Sequence, residues 1–134
     1  MTKDNLKQVG LALYWAEGIK VGNTVQFSNA DPDMIRIFLR FLREVYNVDE
    51  SRLKVHLQIK DVHDVQKVKV FWSRVTKIDQ VKFYKPTITK ANPLKGDKKY
   101  LGTCRIVLPD SVLQKKILSS IDELRTVVCH LTVN

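Results

Sequence analysis

Four segments of the chain repeat apolar residues at the three- and four-residue spacing of an amphipathic helix. They are residues 5–16, the segment that opens at Asp31-Pro32, residues 61–76 and residues 111–125. Asp4 is the expected N-cap of the first, and Asp31 that of the second, with Pro32 in the first helical position. One face of the third predicted helix consists of Val62, Val65, Val68, Trp72 and Val75.

Strict alternation of apolar and polar residues predicts β-strands elsewhere. It is clearest in residues 52–60, RLKVHLQIK. Two short strands, IKVG and TVQFSN, are predicted on either side of a tight turn at Gly22-Asn23, and two more over residues 84–90 and 103–108. Residues 126–134 fit a short strand and an ordered tail equally well. We therefore expect a single domain spanning residues 1–134.

The polar sides of these strands contain no acidic residue. They present Lys20, Thr24, Gln26, Ser28, Arg52, Lys54, His56, Gln58, Lys60, Lys85, Thr87, Thr89, Thr103 and Arg105. Lysine and arginine neutralise phosphates, whereas amide and hydroxyl side chains form hydrogen bonds with base edges. We expect this face to bind nucleic acid; the simpler interpretation is a solvated basic face without a partner.

The charge of the whole chain favours the same class of partner. Its 134 residues contain 23 Lys and Arg against 14 Asp and Glu, a net charge of +9, which favours a polyanion. No apolar run reaches the roughly 20 residues that span a bilayer, and the first residues lack the apolar region of a signal peptide. Because Cys104 and Cys129 match no disulfide or zinc spacing, we expect reduced thiols and a cytoplasmic protein.

The loop over residues 91–100, ANPLKGDKKY, adds three lysines around a glycine. Lys95, Lys98 and Lys99 suit phosphate contacts, but they equally suit a flexible solvated loop. The segment lacks the glycine spacing and the Lys-Ser/Thr ending of a P-loop.

The first predicted helix is apolar on every side over its last two turns and is followed by Glu17 and Gly18. Because its own domain covers only one side, we expect a second protomer on the other. A carboxylate at a helix C-terminus is at the unfavourable end of the helix dipole. Either a bound cation stabilises Glu17, or Glu17 faces solvent and pairs with a nearby lysine.

Residues 10–18, GLALYWAEG, resemble the nine-residue motif of the LAGLIDADG homing endonuclease family. Ala12 and Ala16 fill the small positions, Glu17 the acidic eighth position and Gly18 the last, while Trp15 replaces an acid often found in the family. The predicted elements follow the family's order over most of the chain, with residues 61–76 as an additional helix. The resemblance implies an α+β LAGLIDADG-like fold, with a curved antiparallel sheet and helices packed on one face.

Because the motif occurs once, the resemblance implies a homodimer that binds double-stranded DNA at a near-palindromic site. It implies packing of two motif helices through Leu11, Ala12, Trp15 and Ala16. It also implies Mg²⁺ at Glu17 and Gly18 and metal-dependent, sequence-specific DNA cleavage. A lysine is expected to assist catalysis, and Lys60, Lys85 and Lys90 are candidates by their chemistry alone.

Two other functions fit the same fold. One is a DNA-binding regulator that does not cleave, and the other is an RNA-splicing helper. RNA recognition usually needs exposed aromatic residues, of which the sequence offers few. An enzyme acting on a small molecule is the least supported, because no nucleophile–base pair stands out and His56, His63 and His130 are scattered along the chain.

Overall fold

The computed structural model describes residues 1–92 and 101–130, which form a mixed α+β domain. The helices are α1 (Lys3–Glu17), α2 (Pro32–Arg40), α3 (Val65–Thr76) and α4 (Ser111–His130), and the strands are β1 (Val25–Asn29), β2 (Lys54–Lys60), β3 (Thr87–Thr89) and β4 (Thr103–Leu108). A π-helical turn, Phe41–Val45, extends α2, and 3-10 turns cover Glu50–Arg52 and Gln80–Lys82.

The four strands form one open sheet in the order β1-β4-β2-β3. β4 is antiparallel to both β1 and β2, whereas β3 is parallel to β2. The expectation of a purely antiparallel sheet is therefore wrong at β3. The physical reason is the helix α3, which lies between β2 and β3 in the chain and returns it to the starting end of β2.

The predicted first hairpin is reduced to a single strand, β1. Its expected partner, residues 19–22, contributes only a bridge between Gly18 and Phe27 and one hydrogen bond from Ile19 N–H to Gln26 O at 3.0 Å. Side chains bind the backbone here instead. The Tyr14 hydroxyl donates to Ile19 O, and the buried Gln114 amide donates to the carbonyls of residues 19, 21 and 24 at 3.2–3.5 Å.

Helix starts differ slightly from the sequence prediction because other side chains act as caps. α1 begins after Thr2, whose hydroxyl accepts from Asn5 N–H at 3.1 Å, so Asp4 lies in the first turn and is not the cap. α3 begins at Val65 under the cap Asp64. Val62 consequently lies outside the helix and is 66% exposed rather than part of its core face.

Two strands are shorter than predicted, and one helix is longer. The 3-10 turn Glu50–Arg52 delays the start of β2 to Lys54, and the predicted strand over residues 84–90 is reduced to β3. Helix α4 continues to His130, so residues 126–130 form neither the short strand nor the separate tail that the sequence left open, but the last part of this helix. Residues 131–134 lie outside the described part of the chain.

One face of the sheet forms the core, and the helices cover it as predicted. Its side chains are Val25 and Phe27 from β1, Val55, Leu57 and Ile59 from β2, and Cys104, Ile106 and Leu108 from β4, each at most 1% exposed. The Phe38 ring of α2 stacks on Phe27 at a centroid distance of 4.4 Å. Burial of this apolar surface is the main stabilising contribution.

Helix α1 packs closely against the π-helical turn through Gly10. A Cβ atom built on Gly10 would collide with the ring of Phe41. Leu6, Leu11 and Tyr14 are buried on the same side of the helix. None of the helices in the described residues combines the length and the apolar character needed to cross a bilayer.

Candidate nucleic-acid interface

The opposite face of the sheet, here called the outer face, presents polar side chains in register. It consists of Gln26 and Ser28 from β1, Thr103, Arg105 and Val107 from β4, Lys54, His56, Gln58 and Lys60 from β2, and Thr87 and Thr89 from β3. The pairing places Ser28, Arg105 and His56 side by side in one row. In a second row Thr103, Gln58 and Thr87 are neighbours.

Arg105 and His56 of the outer face form hydrogen bonds with neutral side chains. Arg105 Nε donates to Ser28 Oγ at 3.0 Å, and Arg105 Nη1 donates to Gln26 Oε1 at 3.5 Å. His56 Nε2 lies 3.0 Å from Thr87 Oγ1. These contacts orient the side chains without cancelling the positive charge of Arg105.

A shallow depression of about 30 Å³ marks the middle of the outer face. It is lined by Ser28, His56, Gln58, Thr103 and Arg105. No acidic side chain belongs to the outer face as the strand register of the described residues defines it. Donors and acceptors that converge on a flat, cationic surface can bind phosphates and base edges together.

The structure adds Val107 to the residues assigned from sequence. Alternation with Thr103 and Arg105 places its side chain on the outer face, beside Gln26 and Lys54. The alternating pattern of the strand would have identified it. An apolar side chain in this position suits contact with a thymine methyl group.

Glu17 lies exposed at the end of α1, where Asn29 holds its carboxylate. Asn29 Nδ2 donates to Glu17 Oε2 at 2.7 Å, and Asn29 Oδ1 accepts from Asp31 N–H at 2.8 Å. Asn29 therefore joins the end of α1, the end of β1 and the start of α2. Sequence reasoning missed it, because its role depends on contacts between separate elements.

The carbonyl of Gly18 accepts a hydrogen bond from Lys20 Nζ at 2.8 Å. The last turn of α1 contains no basic residue, so this ammonium compensates the negative end of the helix dipole. Gly18 also needs to be glycine, because an added Cβ would lie 2.6 Å from Tyr14 O and collide with the Tyr14 ring. Lys20 thus binds beside Glu17, at the carbonyl next to it.

The three candidate catalytic lysines are not grouped around Glu17 within one protomer. Gly18 pairs outside β1 at one edge of the sheet, whereas Lys60 lies on β2, three strand positions away. Strand spacing makes that separation about 14 Å. Lys85 precedes β3 and Lys90 follows it, at the far edge.

The remaining predicted nucleic-acid contacts divide into three cases. Arg52 lies in the 3-10 turn before β2, where it donates to Pro109 O and lies 3.7 Å from an Asp110 carboxylate oxygen. Thr24 is half-buried just before β1. Lys98 and Lys99 lie outside the described residues.

The uncovered face of α1 matches the small positions of the motif. Ala12 and Ala16 are exposed, flanked by the half-buried Val9 and Leu13. Leu11, by contrast, is 2% exposed in the core of its own protomer, so its side chain is not accessible to a second copy. The fourth expected interface residue, Trp15, is half-buried, and the guanidinium of Arg125 in α4 lies 5.4 Å from its ring centroid.

Glu17 and Gly18 provide the kind of ligand that Mg²⁺ prefers. Their carboxylate and carbonyl oxygens are hard donors, and Mg²⁺ usually binds one or two carboxylates together with substrate phosphates. Within residues 1–92 and 101–130, no group of three or more His, Cys, Asp or Glu side chains is placed to hold a metal ion. The two oxygens are therefore enough for part of a metal site, and further ligands would have to come from a second molecule.

Burial suppresses the acidity of two other reactive groups. Burial is the largest effect on Tyr14 and raises its pKa, which keeps the hydroxyl protonated as a donor to Ile19 O. Burial likewise raises the pKa of Cys104, whose thiol points into the core.

Comparison of the chain with models of protein families, with curated proteins and with solved structures found no match.

Proposed function

We propose that two copies of this chain form a sequence-specific DNA endonuclease of the LAGLIDADG type, which its residues 10–18 resemble. The outer face binds double-stranded DNA, and Glu17 holds Mg²⁺ at the scissile phosphate. The observation that supports this best is that a carboxylate lies next to a cationic surface. A carboxylate at the end of α1 lies at the edge of a sheet whose outer face has no acid.

The outer face has the dimensions and chemistry for a DNA groove. Four strands span about 14 Å across the sheet, close to the roughly 12 Å width of the major groove. Gln26, Gln58 and Arg105 form hydrogen bonds with base edges, and Lys54 and Lys60 contact the flanking phosphates. Each is half-buried or exposed on that face.

The dimer forms through the exposed face of α1. Ala12 and Ala16 are one helical turn apart, and small side chains there allow two helix backbones to approach closely. A twofold contact of this kind brings the two Glu17 carboxylates towards one another and sets the two sheets on adjacent half-sites. The preferred DNA site is then nearly palindromic, because its symmetry follows that of the protein.

Glu17 of each copy and the Gly18 carbonyl would hold Mg²⁺ beside the DNA phosphates. When bound, it supplies the Lewis acid for phosphodiester hydrolysis. The chain's own residues orient this site: Asn29 fixes the carboxylate at 2.7 Å, and Lys20 supplies a positive charge beside the phosphate.

A second candidate function is DNA binding without cleavage, and one observation favours it. Both oxygens proposed for the metal already have protein partners, since Asn29 binds Glu17 and Lys20 binds Gly18 O. A site satisfied in this way is stable without an ion. Such a protein would regulate transcription from the same palindromic sites.

The deciding experiment is a selection from random duplex DNA in Ca²⁺, which permits binding while suppressing cleavage, followed by transfer of the bound pool to Mg²⁺ and sequencing of its ends. A palindrome cut at its centre supports the endonuclease. A palindrome that remains intact supports the regulator. If no motif is enriched, both proposals are wrong.

A further inference from the structure

A second cationic surface lies among the helices, away from the outer face. It is an open groove of about 650 Å³ between α2 with its π-helical turn and the C-terminal end of α3. Its cations are Arg36, Arg40, Arg43, Arg74 and Lys77, and its acids are Glu44 and Glu50. This surface, here called the helical groove, has three positive charges in excess.

Three of its arginines are paired with carboxylates, the first being Arg36, whose Nη1 donates to Asp33 Oδ1 at 2.9 Å. Arg40 donates from Nε and Nη2 to the two oxygens of Glu44 at 2.6 and 3.2 Å. Arg43 makes the same two contacts with Glu50 at 2.5 and 3.2 Å, and a third with Thr76 O at 2.9 Å. Each fork keeps further N–H donors that can bind a second anion.

The other two cations, Arg74 and Lys77, lie on the α3 side, and their side chains form no hydrogen bond or ion pair with any described residue, although the Lys77 backbone N–H donates to Ser73 O at 2.9 Å. Lys77 has a φ of 57° at the C-cap of α3. Glycine is the common residue in this left-handed conformation, because it avoids the steric cost of a Cβ. A lysine here keeps a positive charge at the rim of the helical groove although glycine would be less strained.

We propose that the helical groove is an anion site for a ligand with two or more adjacent phosphate groups. Planar guanidinium forks match phosphate oxygens, and Lys77 adds a point charge. Arg36, Arg40 and Arg43 follow one another over about 10 Å of helix, which is longer than one phosphate group. Leu39 and Val75 are buried beneath the cations, so the polar contacts come from the rim.

This site is independent of the proposed DNA cleavage. α2 and α3 pack on the buried face of the sheet, and none of the outer-face residues lines the helical groove. The phosphate groups can belong to a free oligophosphate or to the backbone of a nucleic acid. The experiment separates these two sources.

The test uses tripolyphosphate as the probe, titrated into the full chain and followed by calorimetry. Arg74→Ala with Lys77→Gly removes the two unpaired cations, and both substitutions preserve the local backbone, since alanine favours the helix and glycine the left-handed cap. We expect an affinity loss of about tenfold or more, because charge-assisted contacts to phosphate are lost. The matched control, Lys115→Ala with Lys116→Ala, removes two exposed lysines from α4 and should change the affinity less than about twofold, as distant surface charges are screened.

A second variant is expected to raise the affinity for tripolyphosphate instead of lowering it. Glu50→Gln releases Arg43 from its ion pair and adds one net positive charge to the helical groove. We expect several-fold tighter binding of tripolyphosphate. A merely structural role for the arginines predicts no gain.

Three results would overturn the proposal: no binding of tripolyphosphate, equal losses in the groove and control variants, or equally good competition by an oligoglutamate peptide. Competition with a short duplex DNA shows whether the bound phosphate groups come from a nucleic-acid backbone or from a free oligophosphate. If the duplex displaces tripolyphosphate and this depends on Arg74, the phosphates are those of a backbone. If only free oligophosphates compete, the ligand is a small molecule.

Discussion

The outer face and the helical groove are both cationic, but their positive charges have different neighbours. On the outer face, Arg105 binds the neutral side chains of Ser28 and Gln26. In the helical groove, Arg40 and Arg43 each bind a carboxylate. Counting basic residues does not separate these surfaces, whereas the identity of the hydrogen-bond partner does.

This difference has a physical consequence for binding. A cation held by hydroxyl and amide groups keeps its full charge for a phosphate, while one in an ion pair has to share its donors. The outer face is accordingly suited to a long polyanion such as duplex DNA. The helical groove is suited to a smaller, more densely charged ligand.

The largest expected effect is on the DNA cleavage rate, and it distinguishes a carboxylate beside the outer face from one in the helical groove. Glu17→Gln removes the proposed metal ligand and should lower the cleavage rate by at least about a hundredfold, because a metal ion supplies several kcal/mol of transition-state stabilisation. DNA affinity in Ca²⁺ should change little by comparison. Glu44→Gln in the helical groove is the control and should leave cleavage intact, and a Glu17→Gln protein that still cuts would show that Glu17 is not the metal ligand.

The second prediction concerns the packing of Gly18 against Tyr14, which positions the edge of the outer face but not the helical groove. Gly18→Ala forces a methyl group against Tyr14 and should destabilise the fold by about 1–3 kcal/mol, measured by chemical denaturation. It should also weaken duplex binding, because Glu17 and Lys20 move with the backbone. Tripolyphosphate binding should be retained at temperatures where the variant is folded. An equal loss of both ligands would mean that the two surfaces are not independent.

The third prediction compares two arginines by fluorescence anisotropy with a duplex that contains the selected site. Arg105→Ala should weaken binding about tenfold, because a good arginine contact to a base contributes roughly 1–3 kcal/mol of discrimination. Arg40→Ala should change it by less than about twofold, since paired surface charges contribute little. If Arg40→Ala has the larger effect, DNA binds the helical side.

The smallest effect is the pH dependence of the ion pairs in the helical groove. The hydrogen bond from Arg40 lowers the pKa of Glu44. A carboxyl whose pKa is lower in the folded state stabilises the fold above its unfolded pKa, and that contribution is lost as the pH falls through the folded value. Glu44→Gln should therefore flatten the acid limb of a melting-temperature curve, and Arg40→Gln should flatten it equally. Unchanged curves would show that the pair does not contribute to stability.

Local patterns predicted much of the fold. The alternation in residues 54–60 correctly assigned the buried and the outer side of β2, and Asp31 with Pro32 correctly marked the start of α2. These features depend on near neighbours in the chain, whose preferences are visible in a sequence. The acid-free outer face was predicted for the same reason.

The parts that were missed depend on residues far apart in sequence. Residues 19–22 form no second strand, and Gln114, at least ninety positions later, instead binds the carbonyls of residues 19, 21 and 24. The parallel pairing of β3 depends on the path of α3 across the sheet. Asn29 reaches Glu17 only once α1 and β1 are packed together.

The position of β4 in the sheet has a consequence for biosynthesis. It lies between β1 and β2, and its Arg105 is 77 residues from its contact Ser28. On the ribosome, β1 and β2 emerge first and have no strand between them until β4 follows, on the order of seconds later. The nascent chain therefore exposes the unpaired N–H and C=O groups of two strand edges during that interval, and these edges can pair with another chain until β4 fills the gap.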